Sequence, residues 1–66
     1  MNVKKLRGKM VEHDISVELL SEHMGCSAST MYRKLDNFEK ITIGEAEKIR
    51  QYVPMSDDDA KDIFLN

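Results

Sequence analysis

Three small groups of side chains have the types and spacing to do chemistry. Ser29, Tyr32, Arg33 and Asp36 recur at three- and four-residue steps, so on a helix they share one polar face. The guanidinium of Arg33 is a planar fork of donors that matches the O6 and N7 acceptors of guanine, or phosphate oxygens. Its competing use is a surface ion pair with Asp36 or Glu39. Tyr32 can lie against a phosphate or sugar, or lean on a neighbouring helix. His23 and Cys26 have the His-x-x-Cys spacing of a metal site, but a structural zinc needs four ligands and His13 is the only further histidine or cysteine. Cys26 therefore fits better as a small core residue beside a turn. Asp57, Asp58 and Asp59 form a carboxylate run that lacks the glycine and closing glutamate of a calcium loop. No acid, base and nucleophile converge in the pattern, which argues against an enzyme, and nothing calls for a cofactor.

The first group needs a helix held firmly on its other side. Ser16 is a good N-cap, and Val17, Leu20 and Met24 follow it on one stripe. Ile15 and Leu20 have the spacing of a hydrophobic staple. This helix is expected to run to His23 or Met24, where Gly25 supplies a position that tolerates positive φ. Ser27 can cap the next helix, which buries Met31 and Leu35 and turns Ser29, Tyr32, Arg33 and Asp36 outward. Two short helices around a glycine turn, the second with a polar outer face, predict a helix-turn-helix. The chemistry that follows is sequence-specific DNA binding, with a recognition helix over about 27–36 in the major groove.

The remaining chain supplies support. A first helix is expected from about Val3 to His13, with Val3, Leu6 and Met10 inward and Val11 or lysine stems widening the stripe. Lys4, Lys5, Arg7 and Lys9 cover its other side, mainly as a solvated face, with one or two free to touch phosphates. Asn37–Ile41 has loop character, with Phe38 and Ile41 turned inward. Thr42 and Glu45 form a capping box for a fourth helix carrying Ile43, Ala46, Ile49 and Val53 on its apolar side. Pro54 ends it. Ser56 caps a last helix whose three aspartates suit the helix dipole and whose Ala60, Ile63 and Phe64 are apolar. The expectation is a single all-α domain, residues 1–66, of five short helices.

Sixty-six residues bury only a small core, too small for an extensive catalytic cleft. A single cysteine rules out an internal disulfide and fits a reducing compartment. The polar N-terminus has no signal-peptide core, and no apolar run approaches the length of a membrane span, so a cytoplasmic protein is expected. The net charge of −2 opposes nucleic-acid binding only as a sum. Residues 1–10 carry four cations and no acid, while aspartates gather after Ser56, so local faces differ in sign.

The run Leu20-Ser21-x-x-Met24-Gly25-Cys26-Ser27-x-Ser29-Thr30-Met31-Tyr32-Arg33-Lys34-Leu35 resembles the Cro/phage-repressor (XRE) class of helix-turn-helix proteins. The later Phe38-x-x-Ile41-Thr42-Ile43-x-Glu45-Ala46-x-x-Ile49 and Asp62-Ile63-Phe64 are similar to small prophage-borne versions from Gram-positive bacteria. The resemblance implies a lambda-repressor-like fold and a DNA operator as partner. It places Ser27, Ala28 and Ser29 at base edges or nearby phosphates, Tyr32 and Arg33 one turn further along, and Ser16 and Val17 against a phosphate. Three positions depart from the pattern. Ser21 replaces the usual alanine and its hydroxyl needs a partner, Cys26 replaces an aliphatic residue, and Ala28 stands where a long amide is common. Base reading then falls more heavily on Ser29, Tyr32 and Arg33.

One recognition helix makes a small interface, so a homodimer on half-sites about 34 Å apart is expected. Tyr52, Met55, Ile63 and Leu65 form the candidate dimer surface, with Phe64 closing the core. Lys34 is expected to be a solvated lysine, and Met55 an exposed contact. The alternative reading is a helix-turn-helix used as a protein-interaction module, an antirepressor or adaptor, which the net acidity and Ala28 favour.

Overall fold

The structure, a computed structural model, describes residues 1–65. It is all-helical over that range: α1 (Val3–Glu12), α2 (Val17–Met24), α3 (Ala28–Asp36), a 3₁₀ turn (Phe38–Lys40), α4 (Ile43–Tyr52) and α5 (Asp57–Phe64). The stretch expected as loop after α3 is thus one turn of 3₁₀ helix, which drives Phe38 into the core.

Each helix start is set by a local hydrogen bond. Ser16 Oγ accepts the Leu19 N–H at 3.0 Å, and Ser27 Oγ accepts the Thr30 N–H at 3.2 Å. Thr42 with Glu45, and Ser56 with Asp59, close reciprocal capping boxes. Asn2 does the same for α1 through the Lys5 N–H.

The ends of α1 and α2 share one device. At the first, Asp14 takes φ 56°, and the Ile15 and Asp14 N–H groups reach the carbonyls of Met10 (2.8 Å) and Val11 (3.1 Å). At the second, Gly25 takes φ 76°, and the Cys26 and Gly25 N–H groups reach Ser21 (3.0 Å) and Glu22 (3.2 Å). Both are Schellman ends, in which a left-handed residue lets two carbonyls of the last turn find donors. In both, the next residue (Ile15, Cys26) packs on the core and the one after it is the serine cap of the following helix. A left-handed glycine costs little, whereas a left-handed aspartate is strained.

One core binds the helices. Leu6 and Met10 of α1, Val17 and Leu20 of α2, and Met31 and Leu35 of α3 meet Phe38, Ile49, Val53 and Ile63. Ser21 sits where α2 and α3 meet, buried, and its hydroxyl donates to the Glu18 carbonyl at 2.6 Å. Two apolar residues face elsewhere than their spacing suggests. Val11 is 76% exposed and Ile43 is 82% exposed. Ile63, expected on a dimer surface, is 0% exposed. The Ser56–Asp59 box fixes the register of α5 so that Ala60 and Ile63 face inward, and the Ile63 carbonyl accepts the Asn2 N–H at 2.9 Å.

Charges clasp α1 to α5. Asp59 lies 3.0 Å from Lys9 Nζ and 3.3 Å from Lys5 Nζ, and Lys5 also reaches Asp62 at 2.6 Å. The expected solvated face of α1 is therefore half committed, because α5 brings its aspartates over Lys5 and Lys9. The Lys9 ammonium and the Ser56 N–H hold the Asp59 carboxyl well below the usual carboxylate range. Lys5 is raised mainly by Asp62, and Lys9 by Asp59.

Two outcomes test these packing arguments. Space around Gly25 is open, so Gly25→Ala loses only backbone freedom. Thermal unfolding should show it about 1–2 kcal/mol less stable, while Asp14→Gly gains up to about 1 kcal/mol. A neutral Gly25→Ala would sink the left-handed-corner account. Asp59 has a depressed carboxyl in the folded state, so its contribution is complete above the unfolded value of about 3.9 and fades as pH falls below it. Stability followed from pH 6 to pH 2 should therefore drop less steeply in Asp59→Asn, which keeps an oxygen for the cap but removes the charge.

Candidate nucleic-acid interface

The α3 helix has two faces because its apolar residues repeat at four. Met31 and Leu35 are buried, which forces Ser29, Tyr32, Arg33 and Asp36 to the surface, as their spacing predicts. Ser27 is exposed at the helix start and Ala28 is half-buried, leaving little more than a methyl to offer.

Arg33 pairs with neither Asp36 nor Glu39. It enters no ion pair among the described residues, and its Nη2 donates to Thr30 Oγ1 at 3.4 Å. Thr30 Oγ1 also accepts from Ser27 Oγ at 3.0 Å. Tyr32 points to α2, its hydroxyl 3.5 Å from Glu18 Oε2. Glu18 thus places a carboxylate beside the outer face of α3, where it opposes a phosphate.

Val17 is 5% exposed and its side chain belongs to the core. What it can present is its backbone N–H, which as the first N–H of a helix has no intrahelical acceptor. Ser16 is exposed beside it. The dipole of each helix start, at Ser16 and at Ser27, favours an anion there.

The cations sort by partner. Lys34, expected to be free, is half-buried and ion-paired with Glu45, which holds the Glu45 carboxyl below its usual value. The cause is the Thr42–Glu45 capping box, which parks Glu45 beside α3. Arg50 is paired with Asp57. Lys4, Arg7, Lys40, Lys48 and Lys61 join Arg33 in having no ion pair among the described residues. A shallow groove of about 390 Å³ beside α3 is lined by Thr30, Arg33, Lys34, Asn37, Lys40, Ile41 and Glu45. Thr30, Asn37 and Lys40 were not singled out from the sequence. Lys40 carried a signal, as a lysine just past the recognition helix, but Thr30 and Asn37 did not.

Away from this face, the His23 ring stacks on Tyr52 with centroids 4.7 Å apart and planes 12° apart. Cys26 is half-buried against the core. Among the described residues no three histidine, cysteine or carboxylate side chains are grouped to hold a metal. No described helix is long and apolar enough to cross a membrane. Met55, expected as an exposed contact, is half-buried against the core, whereas Leu65 is 76% exposed.

Comparison with known proteins places this geometry. A family model for the Cro/C1-type HTH DNA-binding domain matches residues 5–54, from the first turn of α1 to the proline after α4. No curated protein and no solved structure gives a significant match. The family match spans the capped helices, the glycine corner and the outward face of α3, and the chain belongs to the Cro/C1-type helix-turn-helix DNA-binding domain family.

Proposed function

We propose that this chain is a sequence-specific transcription regulator, Cro-like or repressor-like and of phage or prophage origin, which lays α3 in the major groove of an operator. The observation that carries the reading is Arg33. It stands on the exposed side of a helix whose other side is locked in the core, with no carboxylate to neutralise it among the described residues. Ser27, Ala28, Ser29 and Tyr32 share the approach, and Ser16 with the Val17 N–H meets a phosphate. The protein acts in the cytoplasm of a bacterial host.

Two copies act together. The surface for this is a groove of about 540 Å³ between α4 and α5, lined by Met1, Ile43, Ala46, Phe64 and Leu65 among others. Of the surface expected from the sequence, Leu65 lines the groove, Tyr52 and Met55 pack half-buried against the core outside its lining, and Ile63 drops out. Ile43 takes its place. The groove also carries Glu47 and Asp57 against Arg50 and Lys61, a set in which a two-fold axis can set acid opposite base. The same groove favours the second reading, a protein-interaction module in which another protein fills it.

Selection from a pool of random duplex DNA separates the readings. The expected result is a two-fold symmetric motif that Arg33→Ala loses, with an affinity cost of about 1–3 kcal/mol on the selected duplex. Affinity should also fall steeply with salt, log K dropping by about 0.9 per unit log[salt] for each phosphate neutralised. No enrichment at low salt by folded protein rejects operator binding and selects the interaction module. For the dimer, sedimentation at tens of micromolar should show doubled mass for the native chain and a monomer for Ile43→Glu. Equal masses for the two proteins would reject the α4–α5 groove as the contact.

A further inference from the structure

Thr30 is the third residue of α3 and is half-buried, facing neither fully inward nor out. Its Oγ1 lies within hydrogen-bonding distance of two donors, Arg33 Nη2 at 3.4 Å and Ser27 Oγ at 3.0 Å. Ser27 Oγ in turn accepts the Thr30 N–H at 3.2 Å. The cap of the helix and the arginine one turn later are thus joined through one hydroxyl.

A hydroxyl has two lone pairs and one proton. A guanidinium can only donate, so Arg33 occupies one lone pair of Thr30, and Ser27 occupies the other. The Thr30 proton is then left to donate outward, beside the remaining N–H groups of Arg33. The Thr30–Arg33 pair therefore has donors, and no free acceptor, to offer. In the major groove guanine offers two acceptors, O6 and N7. Adenine offers one acceptor and one donor, cytosine a donor, and thymine one acceptor beside a methyl group. Guanine alone offers such donors two acceptors, whereas thymine, which has no donor there either, offers only one.

We propose that Thr30 aims Arg33, so that the two act as one unit that selects a guanine in the operator. This rests on the reading of α3 as the operator-binding helix. Thr30 is here a positioning residue: it holds a long, flexible side chain near its bound geometry before DNA arrives, which reduces the ordering lost on binding.

The test uses the full chain and four duplexes of the selected motif that differ only at the base pair most affected by Arg33→Ala. Thr30→Val removes the acceptor and keeps the branched shape. Thr30→Ala is run beside it, and Thr30→Ser keeps the hydroxyl. The expected result is a roughly three- to tenfold fall in preference for guanine over the other bases in the Val and Ala variants. Affinity for random duplex and the salt slope stay unchanged, and Thr30→Ser restores the preference. A merely structural role would instead lower specific and non-specific affinity together, and that result overturns the proposal. So does an unchanged preference in Thr30→Val and Thr30→Ala while Arg33→Ala abolishes it, a pattern that leaves the operator reading intact. If Arg33→Ala leaves the preference untouched, or no motif is selected at all, the reading of Arg33 fails and the proposal with it.

Discussion

The left-handed corner at Gly25 is the constraint on which the functional face depends. A helix of nine residues such as α3 has no stability of its own and takes its orientation from what it packs on. The corner ends α2 with two satisfied carbonyls, drops Cys26 onto the core and delivers Ser27 as the cap of α3. With that start fixed, Met31 and Leu35 can only go inward, and Ser29, Tyr32 and Arg33 can only go outward. The same device at Asp14 sets α2 in place first. There the chain uses aspartate, and the strain it carries is opposed by the burial of Met10 and Leu20 on either side.

Charge follows a similar logic. The chain is acidic in sum, and five of its twelve acids are ion-paired within the fold among the described residues. Asp59 and Asp62 lie over Lys5 and Lys9, Asp57 over Arg50, and Glu45 over Lys34. Arg33 escapes because the nearest polar group it meets is the Thr30 hydroxyl, which is neutral. A guanidinium held by a neutral acceptor keeps its charge for a partner, whereas one held by a carboxylate must first be freed. The Glu18 carboxylate remains near the outer face of α3, so the local potential there is mixed.

The family match stops before α5, and the structure explains what that last helix adds. It closes the core with Ile63, accepts the chain start through Asn2, and pairs with two of the three lysines of α1. In doing so it leaves Leu65 and one side of Phe64 beside Ile43, an apolar groove within an otherwise charged surface.

The sequence by itself determined the helix starts, the glycine corner and the outward set on α3. These rest on interactions between residues three or four apart, such as Ser27 with Thr30 and Thr42 with Glu45, whose geometry follows once a helix forms. It also carried the family resemblance, because that resemblance is a local hydrophobic pattern around Gly25. The tertiary structure alone decided which cations stay free, since Lys5 and Lys9 meet Asp59 only when the two ends of the chain are packed together. It decided that Ile63 is core and Ile43 is surface, because both lie on apolar stripes and only the neighbour that arrives determines which part of a stripe is covered. It also decided that the Val17 side chain is buried while Ser16 beside it stays exposed. Local bonds are written in the order of residues, while burial and ion pairing depend on how distant helices are set against each other.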